Sequence, residues 1–218
     1  MSAEDSINKS RRTFGQHFTP RDIFEQYIFP IIKDHLYSHV FVDLFCGAGN
    51  LILPILDHIP ETQRTDYFKD HLYLFDIQES CITETIENAK HSGIPHEIGK
   101  QNIIQQDTLR NYPAFLLKKD KPMFHITNPP YLYLGYIVKN KETQQYQDLF
   151  QGRNEGYQDL YQIGLINDLR HNIQNMIYII PSNFIFGNSI SNKIRNDFFY
   201  YYTIQLAYII EKRIFEYT

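Results

Sequence analysis

Short, nearly continuous apolar runs alternate along this chain with stretches whose apolar residues recur at helical spacing. Continuous apolar runs are typical of parallel strands buried on both faces, and the helical spacing is typical of amphipathic helices. Strands are predicted over 39–45, 71–77, 102–106, 123–127, 175–180 and 203–211, and helices over 20–37, 51–59, 78–90, 112–119, 159–169 and 190–202. Because strands and helices alternate, the pattern predicts an α/β fold with a doubly wound, mostly parallel sheet.

The first predicted strand breaks into the turn Cys46-Gly47-Ala48-Gly49-Asn50 before a helical pattern resumes. Strand, glycine turn and helix form the first unit of cofactor-binding α/β folds, because glycine allows positive φ and a close backbone approach to a ligand. The turn lacks the third spaced glycine of a dinucleotide site and the Gly-Lys-Ser/Thr of a P-loop. It therefore predicts a cofactor turn of another kind, with a purely structural turn as the alternative.

Acidic residues lie at the carboxyl ends of the second and third predicted strands, at Asp76 and Asp107. Open α/β sheets bind their ligands at this edge. An acidic side chain at the end of the second strand suits the two hydroxyls of a ribose. Asp76 is therefore predicted to bind a ribose, with a solvated aspartate at a strand end as the alternative.

A helix start is predicted at Thr19-Pro20, ahead of an apolar helix face. Threonine is a favoured N-cap, proline is favoured at the first helical position, and Asp22 falls in the first turn. Pro30 is expected to kink this helix. The helix N-terminus suits an anion, and an ordinary capped helix is the alternative. Residues 1–13 lack periodicity and are predicted to form a flexible N-terminal arm.

The fourth predicted strand ends at Asn128-Pro129-Pro130-Tyr131. Proline has no N–H and cannot continue a β-ladder, so the backbone carbonyls there are expected to accept other hydrogen bonds. Asn128 adds a side-chain carbonyl, and Tyr131 adds a flat aromatic face. Two acceptors beside a stacking surface suit a planar group with an NH2, because accepting both its protons re-aims the nitrogen lone pair for attack. A rigid surface turn is the alternative.

The stretch 132–156 is long and polar and shows the least sign of regular structure. Loops of this length inside compact domains are usually lids or binding segments. Its basic residues alternate with tyrosines, which suits a flexible polyanion with stacking bases. These residues are Lys139, Lys141, Arg153, Tyr133, Tyr136 and Tyr146. A disordered, solvated loop is the alternative.

Composition narrows the remaining possibilities. The chain has 218 residues and a net charge of −4, so contact with a polyanion must come from local patches. Cys46 and Cys81 form no disulfide framework, which favours a reducing cytoplasm. No apolar run approaches the length of a membrane span, and the polar N-terminus predicts no signal peptide. The histidines show no metal-ligand spacing, so we predict no metal.

Together these stretches resemble the adenine-N6 DNA methyltransferases of restriction–modification systems, in the arrangement where the cofactor motif precedes the NPPY motif. The resemblance runs from about Phe14 to Phe215. Its segments are GQHFTP, DLFCGAGN, ITNPPY, DLYQIGLINDL, IYIIPSNFIFG and IIEKRIFEYT. ITNPPY is the most specific of them. The resemblance implies the class I S-adenosylmethionine-dependent methyltransferase fold, with residues 14–218 as the catalytic domain.

The same resemblance implies methyl transfer from S-adenosyl-L-methionine to N6 of a flipped adenine in double-stranded DNA. The implied catalytic residues are Asn128, Pro129, Pro130 and Tyr131. Asn128 and the carbonyl of Pro129 would accept the amine protons, while Tyr131 would stack on the base. Phe184 or Phe186 would cover its other face. The implied cofactor-binding residues are Thr19, Pro20, Asp43, Phe45, Gly47, Gly49, Asn50, Asp76, Ile77, Asp107, Thr108 and Asn128.

Two other substrates stay open as alternatives. NPPY also marks the enzymes that methylate a glutamine amide of translation release factors, since an amide NH2 poses the same chemical problem. Those enzymes carry a helical domain ahead of the cofactor motif, whereas this chain has the GQHFTP segment there. Methylation of ribosomal RNA is a less favoured third reading.

The end of the sequence raises a further expectation. In the resembled fold the last strand is antiparallel and inserts between the fifth and sixth strands, but this sequence ends at Thr218, just after the sixth. We therefore expect a catalytic domain without that last strand and without a target-recognition domain. It would be a fragment, one part of a split enzyme completed by a second polypeptide, or an S-adenosylmethionine-binding remnant that is inactive on its own.

Overall fold

The structure is a computed structural model that describes residues 19–187 and 189–210. It contains a sheet of five parallel strands. They are β1 (Val40–Asp43), β2 (Leu72–Asp76), β3 (Ile103–Gln105), β4 (Met123–Thr127) and β5 (Asn175–Tyr178). In the strand order β3-β2-β1-β4-β5, β2 and β3 lie on one side of β1 and β4 and β5 on the other, so the order reverses once, beside β1. The predicted α/β fold with a doubly wound sheet is therefore confirmed.

Three parts of the sequence-based prediction lie outside the described residues. They are the predicted flexible arm 1–13, residues 14–18, which include the first four residues of the GQHFTP segment, and residues 211–218. Among the residues that are described, no helix is long and apolar enough to cross a lipid bilayer.

Contacts along the backbone group the chain into two compact units. We call the first the sheet unit; in the described residues it comprises 19–128 and Ile173–Tyr178 and holds all five strands. The second, the helical unit, comprises Pro129–Asn172 and residues 179–187 and 189–210 of the described part of the chain.

The core of the sheet unit forms around β1 and β2, in which every residue is buried. Alternate residues of a strand share a face, so Val40 and Val42 of β1 pack with Tyr73 and Phe75 of β2. Leu116 covers this cluster. Continuous burial on both faces explains why the strands read as nearly unbroken apolar runs.

Eight helices accompany the strands in the described residues. They are α1 (21–35), α2 (Arg64–His71), α3 (Glu79–His91), α4 (His96–Asn102), α5 (Leu134–Lys139), α6 (Leu160–Arg170), α7 (Asn183–Phe186) and α8 (Asn192–Tyr201). The predicted helices 78–90, 159–169 and 190–202 are confirmed as α3, α6 and α8. The predicted helices 51–59 and 112–119 are 3₁₀ helices at Leu53–His58 and Ala114–Lys118. The apolar pattern missed α2 and α4, which are short and largely polar.

Helix α1 corrects the predicted N-cap. The helix begins at Arg21 after Pro20, which is the N-cap residue and has extended φ and ψ, and no side chain caps this end. The Thr19 side chain instead accepts a hydrogen bond from the Asn128 amide. A π-helical turn at Phe24–Ile28 precedes Pro30, and the Phe29 N–H donates to the carbonyl of Phe24. The irregularity expected at Pro30 is therefore a π turn just before it.

The expectation of an unstructured loop over 132–156 is wrong. This stretch contains α5 and 3₁₀ helices at Lys141–Phe150 and Gly152–Asn154. It also buries Leu132, Ile137 and Phe150. Short 3₁₀ turns carry apolar residues at a period that the helix and strand patterns do not match, so this order was not visible in the sequence.

The predicted strand 203–211 is also wrong as far as it is described. Residues 203–210 form no strand, and Leu206, Tyr208 and Ile209 are exposed. The apolar alternation of this segment fits a strand, but a strand also needs the backbone of a neighbour to pair with. The alternation alone does not supply one.

Candidate active site

The carboxyl ends of β1, β2 and β4 carry the polar residues of the sheet unit. β1 lies between β2 and β4, so Asp43, Asp76 and Thr127 end three adjacent strands. The chain leaving β1 is anchored at once, because the Cys46 N–H donates to the Phe75 carbonyl at 2.8 Å. This edge is where the strand order reverses and where open α/β sheets bind ligands.

The turn after β1 needs glycine at two positions. Gly47 and Gly49 have φ of 53° and 84°. A Cβ on Gly49 would lie 2.6 Å from Cδ1 of Leu53, so an alanine there would be both strained and crowded. Helix α3 fixes the turn, since the Thr85 hydroxyl donates to the Gly47 carbonyl at 2.6 Å and the Asn88 amide donates to the Ala48 carbonyl at 2.9 Å.

Asp76 faces this turn from the end of β2. Its carboxylate accepts the N–H of Gly47 at 3.0 Å and the N–H of Gln78 at 2.9 Å. Burial raises its pKa, and the backbone N–H groups oppose that rise. The alternative of a solvated aspartate is excluded, because Asp76 is buried. The acid predicted to hold a ribose thus lies directly against the glycine turn.

Asp43 is the most unusual group of this edge. It is completely buried, and its Oδ1 accepts the Thr127 hydroxyl at 2.7 Å and the Phe45 N–H at 3.1 Å. Its Oδ2 is buried and has no hydrogen-bond partner in the described part of the chain. Burial raises the pKa of Asp43 to about 7, with a smaller contribution from Asp76. A buried polar atom without a partner calls for an explanation, and a cationic or donor ligand supplies one.

Asn128 follows β4 and is held by the segment ahead of α1. Its Nδ2 donates to the Thr19 hydroxyl oxygen at 3.1 Å, and the Asn50 amide donates to the Thr19 carbonyl at 3.0 Å. Both Thr19 and Asn128 are buried. The bond from Nδ2 directs the side-chain carbonyl of Asn128 away from Thr19. Three predicted site residues from distant parts of the sequence are therefore brought together.

The other predicted cofactor residues of the sheet unit divide into two groups. In the first group, the side chains bond to the protein backbone: Asp107 accepts the Leu109 and Arg110 N–H groups, and the Thr108 hydroxyl donates to the Leu44 carbonyl. Pro20 and Ile77 are exposed, and Phe45 is half-buried. Pro20, Ile77 and Phe45 therefore have side-chain surface accessible to a ligand, whereas Asp107 and Thr108 fix the backbone around them.

The aromatic residues predicted to hold a base belong to the helical unit. Tyr131 is half-buried, and its hydroxyl donates to the Ile179 carbonyl at 2.6 Å. Its ring meets Tyr161 edge-on, with the ring centroids 6.4 Å apart. Phe184 is buried against Phe198, while Phe186 is 64% exposed. Of the two phenylalanines, only Phe186 has an open ring.

The surface of the helical unit also carries the basic and aromatic residues singled out in 132–156. Lys139, Lys141 and Arg153 are exposed, as are Tyr133 and Tyr136, and Tyr146 is half-buried. The alternation of cations and tyrosines is therefore a surface property, presented on α5 and 3₁₀ turns rather than on a loop.

Two residues with a direct part in this geometry were not singled out from the sequence. Thr127 links β4 to β1 through its bond to Asp43, and a polar residue at the end of an apolar strand was the available signal. Asp159 is the N-cap of α6, and an aspartate just before an apolar helix was the available signal.

The sheet unit fits S-adenosylmethionine, the cofactor that the resemblance implies. That molecule carries a cationic sulfonium, an ammonium group and a ribose with two hydroxyls. The unpartnered Oδ2 of Asp43 suits a donor or cation, Asp76 suits the hydroxyls, and the positive φ at Gly49 allows a close backbone approach.

Comparisons with known proteins agree on the family and the fold. The sequence profile of the family described as N-6 DNA Methylase matches residues 4–218. A search of curated proteins found no match.

Several solved structures resemble the fold at low sequence identity. A DrdV–DNA complex matches with a TM-score of 0.60 and 16% identity over 84% of this chain and 22% of that one. A modification subunit of a putative type I restriction enzyme from Vibrio vulnificus matches with a TM-score of 0.53 and 15% identity, over 89% of this chain and 41% of that one. The Type ISP restriction-modification enzyme LlaBIII bound to DNA matches with a TM-score of 0.53 and 17% identity, over 79% of this chain and 15% of that one. This chain thus spans less than half the length of each.

Proposed function

Because the chain belongs to the N-6 DNA methylase family, we propose that it is the catalytic domain of an adenine-N6 DNA methyltransferase of a restriction–modification system. S-adenosylmethionine is the methyl donor. The observation that carries the proposal is Asn128, buried at the end of β4, held through Nδ2 by Thr19 and followed directly by two prolines.

The chemistry follows from where hydrogen-bond acceptors are fixed. An adenine amine is a poor nucleophile because its lone pair is delocalised into the ring. The Oδ1 of Asn128 and the carbonyl of Pro129 accept hydrogen bonds from its two N–H groups, which favours a pyramidal nitrogen with its lone pair aimed out of the ring plane. Because the Thr19 hydroxyl already holds the amide, this acceptor needs no reorganisation as the reaction proceeds.

Tyr131, three residues along the chain from Asn128, supplies the face on which the flipped base stacks. Flipping costs a few kcal/mol, and stacking worth about 1–3 kcal/mol per base offsets part of it. Phe186 is the better candidate for the opposite face, because its ring is open and that of Phe184 is buried. The exposed cations of α5 and the following 3₁₀ helices suit the phosphate backbone.

The sheet unit is proposed to bind the cofactor. S-adenosylmethionine supplies a methyl group on a positively charged sulfur. Asp76 accepts hydrogen bonds from ribose hydroxyls, the turn at Gly47 and Gly49 lets the backbone approach, and Asp43 balances positive charge.

The extent of the functional protein is part of the proposal. Residues 14–218 are the proposed catalytic domain, and a second polypeptide is a proposed partner in DNA recognition. The described neighbours support this, since their chains are more than twice as long and one of them is a modification subunit. We place the protein in the cytoplasm, where such DNA lies.

Transfer of a labelled methyl group from S-adenosylmethionine tests the function. Unmethylated DNA, release-factor protein and ribosomal RNA are offered in parallel, alongside a cofactor-binding titration. We expect label in DNA, lost in Asn128→Ala while cofactor binding is retained. Asn111→Ala, at an exposed asparagine of the sheet unit, is the matched control and should keep wild-type transfer.

The other outcomes separate the alternatives. Label in the release factor or in RNA and none in DNA would overturn the proposed substrate. Cofactor binding without transfer to any of the three would mean that the protein is a cofactor-binding component that needs another polypeptide to act.

A further inference from the structure

Asp159 holds the peptide that follows Tyr131. Its Oδ1 accepts the Leu132 N–H at 3.0 Å, and the same oxygen accepts the Tyr161 N–H at 3.4 Å. Asp159 is buried and is the N-cap of α6, a helix of 11 residues. One carboxylate therefore joins the segment after the NPPY motif to the first turn of a buried helix.

Backbone hydrogen bonds reinforce this junction on both sides of Asp159. The Leu160 N–H donates to the Leu132 carbonyl at 3.2 Å, and the Leu134 N–H donates to the Gln158 carbonyl at 2.8 Å. Tyr133 and Asp159 form an antiparallel β-bridge. The chain just after Tyr131 is thus fixed against α6, which leaves little freedom for its Cα position.

The other end of Tyr131 is fixed as well. Its hydroxyl donates to the Ile179 carbonyl, and its ring meets the edge of Tyr161. The hydroxyl of Tyr161 is itself bonded to Asn183 and Ser191, each at 3.1 Å. The Tyr131 ring is therefore held at its backbone end by the Asp159 junction and at its hydroxyl end by Ile179.

We propose that Asp159 is a positioning residue that sets the orientation of the Tyr131 ring. The catalytic consequence rests on the proposed function, in which this ring stacks on the target base. Asp159 touches neither base nor cofactor in this scheme; it acts through the Leu132 peptide. A flipped base stacks more favourably on a ring whose orientation is already fixed, because the Tyr131 side chain then loses little conformational entropy on binding.

Substitutions at Asp159 separate positioning from ordinary helix capping. Asparagine keeps an Oδ1 of the same reach, so Asp159→Asn should preserve both bonds. Serine is a good N-cap but is one atom shorter, so Asp159→Ser keeps the bond within α6 and loses the bond to Leu132. Asp159→Ala loses both. Asn154→Ala is the matched control, because Asn154 is a buried polar residue of the same unit that bonds to Leu149 and Arg170.

The first measurement needs neither DNA nor activity. Fluorine NMR of full-length protein labelled with fluorotyrosine reports the surroundings of the Tyr131 ring, whose signal is assigned by its loss in Tyr131→Phe. We expect the signal to shift and broaden in Asp159→Ser and Asp159→Ala and to stay unchanged in Asp159→Asn and Asn154→Ala. An unchanged Tyr131 signal in Asp159→Ser and Asp159→Ala overturns the proposal, as does an equal change in Asn154→Ala.

The second measurement is methyl transfer into DNA. Asp159→Ser should lower kcat/KM by roughly 5- to 150-fold, the range that stacking of one base is worth, with cofactor affinity unchanged. Asp159→Asn should stay within about threefold of wild type. A shifted Tyr131 signal with wild-type kcat/KM would overturn the catalytic role. If wild-type protein labels release factor or ribosomal RNA and no DNA, the proposed function fails, and the NMR result still decides whether Asp159 positions Tyr131.

Discussion

The substitution Asp43→Asn tests the pH dependence of stability that a buried carboxyl imposes. Burial, with a smaller contribution from Asp76, raises the pKa of Asp43 from 3.8 to about 7, against the bonds from Thr127 and Phe45. The unfolded chain therefore releases this proton near its ordinary pKa, while the folded protein keeps it until the pH reaches about 7. The stabilisation is fully present below about pH 4 and is lost as the pH rises toward 7.

The size of the effect follows from the shift. The pKa of Asp43 is raised by about 3 units, and each unit is worth about 1.4 kcal/mol, so the free energy of unfolding falls by about 4 kcal/mol across this range. Asparagine keeps an Oδ1 acceptor for Thr127 and Phe45 and carries no charge. The free energy of unfolding of Asp43→Asn relative to wild type should therefore rise by about 1.4 kcal/mol per pH unit between about pH 4 and 7.

Urea denaturation without cofactor, repeated between about pH 4 and 8, measures this difference. Asp159, whose pKa burial also raises to about 7, is present in both proteins and cancels from the comparison. Asp66→Asn is the matched control, because its side chain is 84% exposed and its removal should change stability little. A difference between Asp43→Asn and wild type that stays constant with pH would refute the reasoning.

Two further substitutions test the same edge of the sheet. Gly49→Ala places a Cβ 2.6 Å from Leu53 at a φ of 84°, so we expect a loss of about 1–3 kcal/mol of stability by urea denaturation and weaker cofactor binding by calorimetry; unchanged binding would show that the turn is only structural. Thr127→Val removes the hydroxyl that lowers the pKa of Asp43, so we expect a cost of about 1 kcal/mol and a pH midpoint shifted upward, and an unmoved midpoint would contradict the assigned bond.

The strands could be predicted from the sequence because burial on both faces leaves a direct trace. Every residue of β1 and β2 is buried, so each strand reads as a continuous apolar run that ends where the chain meets solvent or a ligand. The same logic located the polar residues at the strand ends, since parallel strands gather their carboxyl ends at one edge. Asp76, Asp107 and Asn128 were found in this way, whereas Asp43 was expected only from the family resemblance.

The helical unit could not be predicted to the same extent, because its order depends on contacts rather than on periodicity. Ile137 lies in α5 and Phe150 in the 3₁₀ helix Lys141–Phe150, and both are buried, although the sequence of that 3₁₀ helix is mostly polar. Residues 203–210 show the opposite failure, with a clear alternation and no strand. A periodic pattern reports which face of a segment is apolar, but not whether another segment covers it.

The hydrogen bonds that align the site were also beyond the sequence. Asp43 and Thr127 are 84 positions apart, and Leu132 and Asp159 are 27 apart. In the first pair, Asp43 ends β1 and Thr127 ends β4. In the second pair, Leu132 follows the NPPY motif and Asp159 is the N-cap of α6. Their roles depend on which strands become neighbours, and local residue pattern does not determine that order.

Asp43 connects the cost of folding with the proposed activity. Thr127 and Phe45 satisfy only one of its carboxylate oxygens, so near neutral pH the folded protein either buries a charge or keeps a proton, and both are unfavourable relative to the unfolded chain. A cationic ligand at this edge would balance the charge and lower the pKa of the carboxyl again. Relief of the free-energy cost of burying Asp43 would then add to the affinity for that ligand. A ligand that binds only the folded state also stabilises that state. A well-packed core would have no reason to retain such a group at the end of its central strand, whereas a site for a cation has one.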